Sequence, residues 1–305
     1  MDNLTHTLTG VALAQSGLGR TSRGATAALI LASNIPDVDL VFGLQGAAAY
    51  LQHHRDLSHS VVGGPLLALA LALCLRIALR GSRFLGLFLS AFVGVAAHVA
   101  MDLSTSYGTR VLSPFNTTFY AWDLVFIVDP IILAILVTTV IVARRPELGR
   151  RVASVGLGLI LSYMGGRAVL HARALEEAVA RVPGGRVQRV AALPHPLDPR
   201  RWRVLADTGP TYWTGEVRLD GTAAPLERRD KVVESATVAR VRAESEVAAI
   251  FLAFSRFPWL EVQQTAEGTA VTWRDLRFER RGRESFVTRV VVGPDGRIRS
   301  QVFHF

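Results

Sequence analysis

Apolar positions in the first half of the chain come in long runs separated by short polar breaks, and each run predicts a helix. Residues 6–18 form the first, which at 13 residues falls short of the roughly 20 needed to cross the hydrocarbon of a bilayer. It reads as an interfacial, re-entrant or tilted segment. Residues 24–35 continue into 38–44, with Asn34, Pro36, Asp37 and Asp39 at the break. Pro36 disfavours helix at Ile35, so a helix ends after Ser33. Residues 61–79, 84–101 and 124–143 read as spans, and 152–170 as another that extends as a surface helix to Ala180. The pattern predicts about five or six membrane segments.

From Pro183 onward the period shortens to two. Strand patterns cover 202–207, 212–219, 270–278, 286–292 and 297–303, and Gly293, Pro294, Asp295 and Gly296 make a hairpin turn between the last two. Val247, Ile250, Phe251, Phe254 and Phe257 recur at helical spacing and predict one amphipathic helix on the sheet. The expected architecture is an α-helical polytopic membrane domain over 1–180, followed by a small soluble α+β domain over 183–305.

Composition supports the membrane reading. Half of the 305 residues are hydrophobic, 19% are charged and the mean hydropathy is +0.30. The net charge of +9 is almost all arginine, since Lys231 is the one lysine. In the first half the arginines sit in short loops, where they act as topology signals. Arg20, Arg23, Arg76, Arg80, Arg83, Arg144, Arg145, Arg150 and Arg151 share one side under an alternating topology, which the positive-inside rule makes cytoplasmic. Loops rich in His and Asp then face outward, as does everything after the last span. The N-terminus lacks the basic region and cleavage site of a signal peptide. Cys74 is the single cysteine, so a metal here must use His, Asp and Glu.

Those residue types concentrate in residues 52–60, which hold His53, His54, Arg55, Asp56 and His59 directly before an apolar run. Ionisable groups against a membrane segment are costly and point to a functional site. His98 and Asp102 stand four apart on one helix and so share a face. Imidazole with carboxylate suits zinc or another borderline divalent ion. His59 opens the next span, with Ser58 or Ser60 able to cap it. His54 approaches from a loop, and Arg55 suits a phosphate or carboxylate fork. His53 and Asp56 read as exposed loop residues. Asp37 and Asp39 follow the Pro36 break, Asp123 and Asp129 bracket residues 124–128, and His6 starts the first segment.

With these residues in view, residues 1–143 resemble the YdjM-like family of LexA-regulated, membrane-bound metal-dependent hydrolases. The matching motifs are Thr5-His6, Ile35-Pro36-Asp37-Val38-Asp39, His54-Arg55-Asp56-Leu57-Ser58-His59-Ser60 and His98-Val99-Ala100-Met101-Asp102. Tyr107-Gly108, Ser113-Pro114, Trp122-Asp123 and Asp129-Pro130 agree as well. The family often has Gly at the position of Asp56, and its motifs do not reach the C-terminal domain. The order of His and Asp is similar to that of zinc-dependent phospholipase C and P1-type nucleases, which implies phosphoester hydrolysis at a helical zinc site. On that resemblance the candidate metal ligands are His6, Asp37 or Asp39, His59, His98 and Asp102, with Asp123 and His54 in reserve, for one or two zinc ions.

The expectation is a multi-pass enzyme of the inner or plasma membrane that hydrolyses a phosphoester of a lipid or lipid-linked substrate at the extracytoplasmic surface. Arg55 would hold substrate charge, His54 would be a supporting or substrate-facing group, and Asp37 or Asp39, whichever is not bound to metal, would orient water or act as base. Nucleic acid is not an expected partner, since no basic groove with stacking aromatics lies near these loops. The alternatives are a non-catalytic metal-binding, transport or scaffold protein, and a ceramidase-like amide hydrolase.

Overall fold

Clustered contacts divide the chain into two units that interleave along the sequence. One holds Met1–Asp39, Arg55–Arg173 and Leu193–Trp202, and the other Leu40–His54, Ala174–Ala192 and Arg203–Phe305. The computed structural model describes residues 1–145, 147–184, 186–222, 224–279 and 285–305.

Among the described residues there are nine α-helices: α1 (Asn3–Gln15), α2 (Ala25–Ala32), α3 (Ala47–His53), α4 (Gly63–Ala78), α5 (Phe84–Leu103), α6 (Pro130–Val142), α7 (Gly149–Arg181), α8 (Ala236–Glu244) and α9 (Glu246–Phe254), of which all but α3 and α8 follow the expected runs. A 3₁₀ helix at Ile35–Gln45 continues α2, and a short 3₁₀ turn at Leu57–His59 precedes α4. Polar side chains cap the starts of α1 and α6. Asp2 accepts from Thr5 N at α1, and Asp129 accepts from Ile131 N and Ile132 N at α6, with Pro130 at the first turn.

In the first unit the helices meet through small side chains. Ala28, Ala32, Ala68, Ala72, Ala91, Leu87 and Val95 form one core, where α2, α4 and α5 pack. Met101, Ile132, Leu136, Val140 and Ile160 belong to a second. Two glycines set how close the helices come. A Cβ at Gly94 of α5 would stand 2.7 Å from Ala32 Cβ and 2.9 Å from Leu29 O. A Cβ at Gly10 of α1 would stand 2.9 Å from Ile30 Cα. Small residues permit such backbone approach between apolar helices. Larger apolar side chains such as Leu66, Leu73 and Ile77 of α4 and Leu85 and Leu89 of α5 point outward. Arg167, buried on α7, donates from Nε to Leu124 O at 2.8 Å and lies 4.1 Å over the Trp202 ring.

The number of membrane-crossing helices is lower than the five or six expected. Among the described residues three are long and apolar enough to cross, Ala25–Gln45, Phe84–Leu103 and Gly149–Arg181. The pair Ala47–His59 and Gly63–Ala78 makes a fourth if its two halves, bent by 71°, are one span. The difference has a local cause at α6. The apolar run over 124–143 becomes helix only from Pro130, because Asp129 caps there, and 13 helical residues remain. Helix α1 is likewise 13 residues long. Helix α7 runs without a break from Gly149 to Arg181, so its expected surface extension is one continuous helix.

The second unit carries two four-stranded antiparallel sheets. The first runs in the order β1 (Arg189–Pro194), β2 (Arg201–Asp207), β3 (Thr211–Arg218) and β4 (Glu227–Asp230). The second follows as β5 (Pro258–Thr265), β6 (Gly268–Asp275), β7 (Val287–Val292) and β8 (Ile298–His304). Gly293 N donates to Arg297 O at 2.9 Å and closes the expected hairpin turn, with Gly296 at φ 77°. Helix α9 is capped by Ser245 and buries Ala248, Phe251 and Phe254 on the side that meets β7 and β8. Burial pushes the Tyr212 phenol above its ordinary range, and its hydroxyl donates to Pro258 O at 3.2 Å. Strands β1, β4 and β5 and helix α8 were absent from the sequence pattern. β4 reads Glu-Arg-Arg-Asp at a sheet edge, and β5 turns Gln263 and Gln264 outward, so neither shows apolar alternation.

Candidate metal centre

Four side-chain atoms from three separate elements converge inside the first unit. They are Asp37 Oδ1 from the 3₁₀ helix, His59 Nε2 from the turn before α4, and His98 Nε2 and Asp102 Oδ2 from the last turns of α5. His59 Nε2 lies 3.1 Å from His98 Nε2, 3.2 Å from Asp102 Oδ2 and 3.5 Å from Asp37 Oδ1. His98 Nε2 lies 3.3 Å from Asp102 Oδ2 and 3.5 Å from Asp37 Oδ1. Zinc–ligand bonds of roughly 2.0–2.1 Å set tetrahedral donors about 3.3–3.4 Å apart. Five of the six pairs therefore have the spacing of a tetrahedral donor set, and all four atoms lie within 4.8 Å of one another.

Each imidazole is aimed by its other nitrogen. His98 Nδ1 lies 2.8 Å from Ser33 O, a pure acceptor, so Nδ1 carries the proton and Nε2 the lone pair. Ser33 closes α2, and the glycine approaches at Gly10 and Gly94 hold that helix end against α1 and α5. His59 Nδ1 lies 2.9 Å from Ser58 Oγ and 3.2 Å from Asp39 Oδ2. Ser58 Oγ donates to Asp39 Oδ2 at 2.7 Å, so it accepts from His59 Nδ1, and that ring too turns an unprotonated Nε2 inward. The result is two imidazole lone pairs and two carboxylate oxygens facing one point. Asp102 Oδ2 has no hydrogen-bond donor among the described residues. This donor chemistry fits a divalent cation, and carboxylate or carbonyl partners behind histidine ligands are the usual support of such a site. The side chains of His59, His98 and Asp102 are fully buried, and that of Asp37 is 10% exposed, so the set opens at Asp37.

Pro36 starts the 3₁₀ helix, whose three residues per turn send Asp37 and Asp39 to different faces. One carboxylate reaches each nitrogen of His59: Asp37 is near Nε2 and Asp39 near Nδ1. Asp39 thus stands behind the ring in the first unit, while Asp37 joins the inner four. His6 is buried and stacks on His98 with ring centroids 3.8 Å apart, and its Nε2 lies 3.4 Å from Asp102 Oδ1. It borders the four-atom group without belonging to it. Arg55 Nη2 lies 2.8 Å from the same Asp102 Oδ1, and the Met1 amino group also contacts that oxygen.

Asp123, His53 and Asp56 lie outside the four-atom group. Asp123 is buried in the segment before α6, at φ 54°, outside the group. His54 belongs to the second unit, where it stacks on Tyr50 at 4.6 Å. His53 packs against the Phe42 ring, and Asp56 pairs with Arg110 at 3.0 Å. Neither serine is the N-cap of α4, a position held by Val62; Ser60 Oγ accepts from Gly63 N at 2.9 Å, and Ser58 serves Asp39 and His59. The roles of Ser33 and Thr105 were not foreseen. Ser33 acts through its carbonyl, which every residue has, and Thr105 through a contact with Arg55 from another element.

Comparison with known proteins places both halves of the chain. The family described as YdjM inner membrane protein matches residues 1–174, and the YfhP C-terminal alpha/beta plait domain matches residues 237–305. The chain is 26% identical over 310 residues to the "Uncharacterized protein YfhP" of Bacillus subtilis (strain 168), covering 98% of this chain and 94% of that protein. No solved structure matches.

Proposed function

The chain belongs to the YdjM inner membrane protein family, and we propose that it is a membrane-bound metal-dependent hydrolase acting on a phosphoester of a lipid or lipid-linked substrate. One observation carries the reading: Asp37, His59, His98 and Asp102 bring four donor atoms within 4.8 Å of one another, with both histidines held from behind. Zinc is the ion this donor set suits best, by ligand type and by spacing. A bound divalent ion supplies Lewis acidity, polarising a phosphoryl or acyl oxygen and making water a stronger acid.

The side chains have separable tasks. His59 and His98 present Nε2, and their Nδ1–H groups donate to Ser58 with Asp39 and to Ser33 O. Asp102 offers Oδ2 inward while Oδ1 stays with Arg55. Asp37, the least buried member, would either complete the donor set or, with its carboxylate off the ion, accept a proton from an attacking water. Outward-facing apolar side chains on α4 and α5 support a substrate delivered from the bilayer. The arginine pattern supports an extracytoplasmic site.

A second reading is favoured by the same geometry. Four protein donors can close a tetrahedral site, and closed sites are structural, which suits a metal-stabilised scaffold.

Metal analysis of the purified protein, wild type against His98→Ala and Asp102→Ala, followed by incubation with a panel of phospholipids and lipid-linked phosphates, separates the two. The hydrolase reading expects bound zinc in the wild type, none in either variant, and metal-dependent release of a phosphorylated or dephosphorylated headgroup. Zinc without turnover on the whole panel supports the scaffold. An absence of metal from the wild type removes both.

A further inference from the structure

Arg55 touches both acidic partners of the centre with different parts of itself. Its main-chain N–H donates to Asp39 Oδ2 at 2.9 Å, and its Nη2 lies 2.8 Å from Asp102 Oδ1. Nη1 donates to Thr105 Oγ1 at 3.2 Å and reaches Asp102 O at 3.5 Å. The guanidinium sits 4.9 Å over the Tyr107 ring, and the residue is 3% exposed. Its φ of 59° is left-handed, a conformation that residues other than glycine rarely adopt. That backbone turns the N–H toward Asp39 while the side chain runs to the end of α5.

We infer that Arg55 is a positioning residue that holds Asp102 as a one-oxygen ligand and thereby biases the centre toward a small four-coordinate ion such as zinc. The inference rests on the metal-centre reading above. A carboxylate with both oxygens available can clasp a larger, oxygen-seeking ion in bidentate fashion, as calcium sites do. Here Oδ1 is turned to the guanidinium, with the Met1 amino group on the same oxygen and His6 Nε2 at 3.4 Å, so Oδ2 alone faces the other donors. A guanidinium cannot be deprotonated, so its share of that hold is permanent. Through Asp39 the same residue supports the carboxylate that steadies His59, so both sides of the donor set depend on one backbone position. This assigns Arg55 to the protein's own ligands, where the motif alone suggested a grip on substrate charge.

The test uses full-length protein in detergent loaded with Co²⁺, and competition between Zn²⁺ and Mn²⁺. Arg55→Asn removes the charge but keeps a side chain that tolerates the left-handed backbone. Arg55→Lys keeps a charge in a different shape. The wild type is expected to give the intense visible absorption of four-coordinate Co²⁺. In Arg55→Asn the band should weaken toward that of higher coordination, and the preference for Zn²⁺ over Mn²⁺ should fall roughly 10–100-fold, the usual cost of losing an outer partner. Arg55→Lys should recover part of both. Thr105→Val, which removes the Nη1 partner, should move both readouts the same way by less, and it decides the matter if Arg55→Asn does not fold. A folded Arg55→Asn, or failing that a folded Thr105→Val, with wild-type spectrum and metal preference overturns the inference and leaves the metal reading intact. A wild type that binds no Co²⁺ removes the metal reading itself.

Discussion

His59 Nε2 and His98 Nε2 face each other at 3.1 Å with no proton available to either in the neutral rings. Both Nδ1 protons are spent elsewhere, on Ser58 with Asp39 and on Ser33 O. A lone-pair-to-lone-pair contact in a buried site is unfavourable unless a cation lies between, since burial of unsatisfied polar atoms is costly. The contact is one that a bound positive charge would relieve.

Removing the groups behind His59 should weaken that charge's hold without removing a ligand. Ser58→Ala and Asp39→Asn are each expected to lower zinc affinity by about 10–100-fold while leaving the stoichiometry at saturation unchanged. Competition with a chromophoric chelator reads both. Unchanged affinity in both variants would show that the ring needs no support.

Gly94 should be intolerant of even one methyl group. A Cβ there meets Ala32 Cβ at 2.7 Å and Leu29 O at 2.9 Å, so α5 must move away from the α2 end that aims His98. Gly94→Ala is expected to cost about 1–3 kcal/mol by overpacking and to weaken metal binding. Thermal unfolding and the chelator assay check the two effects, and a wild-type result in both would contradict the packing described here.

Metal binding should weaken as pH falls. The ligand imidazoles must be unprotonated at Nε2 and the carboxylates ionised, so protons compete with the ion and binding releases them. The sign is fixed: lower pH means higher Kd. Calorimetry in two buffers of different ionisation enthalpy gives the number of protons released, and zero release would argue against histidine ligation.

Topology can be read at Thr117, exposed in the segment between α5 and α6. In a Cys74→Ser background, Thr117→Cys should react with a membrane-impermeant maleimide added to intact cells. Labelling only after the inner face is exposed would invert the arginine-based orientation.

Much of the helical half was legible because it depends on local patterns. The apolar runs locate α4, α5 and α7, the four-residue spacing puts His98 and Asp102 on one face, and Pro36 marks the end of α2. The span count was not legible from hydropathy, because a run of apolar residues does not say where its helix begins. Asp129 with Pro130 starts α6 six residues into a run that begins at Leu124. In the second half, the hairpin turn and the α9 periodicity were readable, whereas β4 and β5 draw their stability from neighbouring strands and leave no alternation of their own.

By itself, the sequence determined which side chains could form a centre and that His98 and Asp102 share a helix face, since a period of 3.6 is a property of the local backbone. Only the tertiary structure decided which of them meet. It separated Asp37 from Asp39 across the His59 ring, turned Arg55 toward Asp102, and recruited the carbonyl of Ser33. Those choices turn on how closely α1, α2 and α5 approach and on backbone groups common to every residue, and neither is written in the identity of the residues concerned.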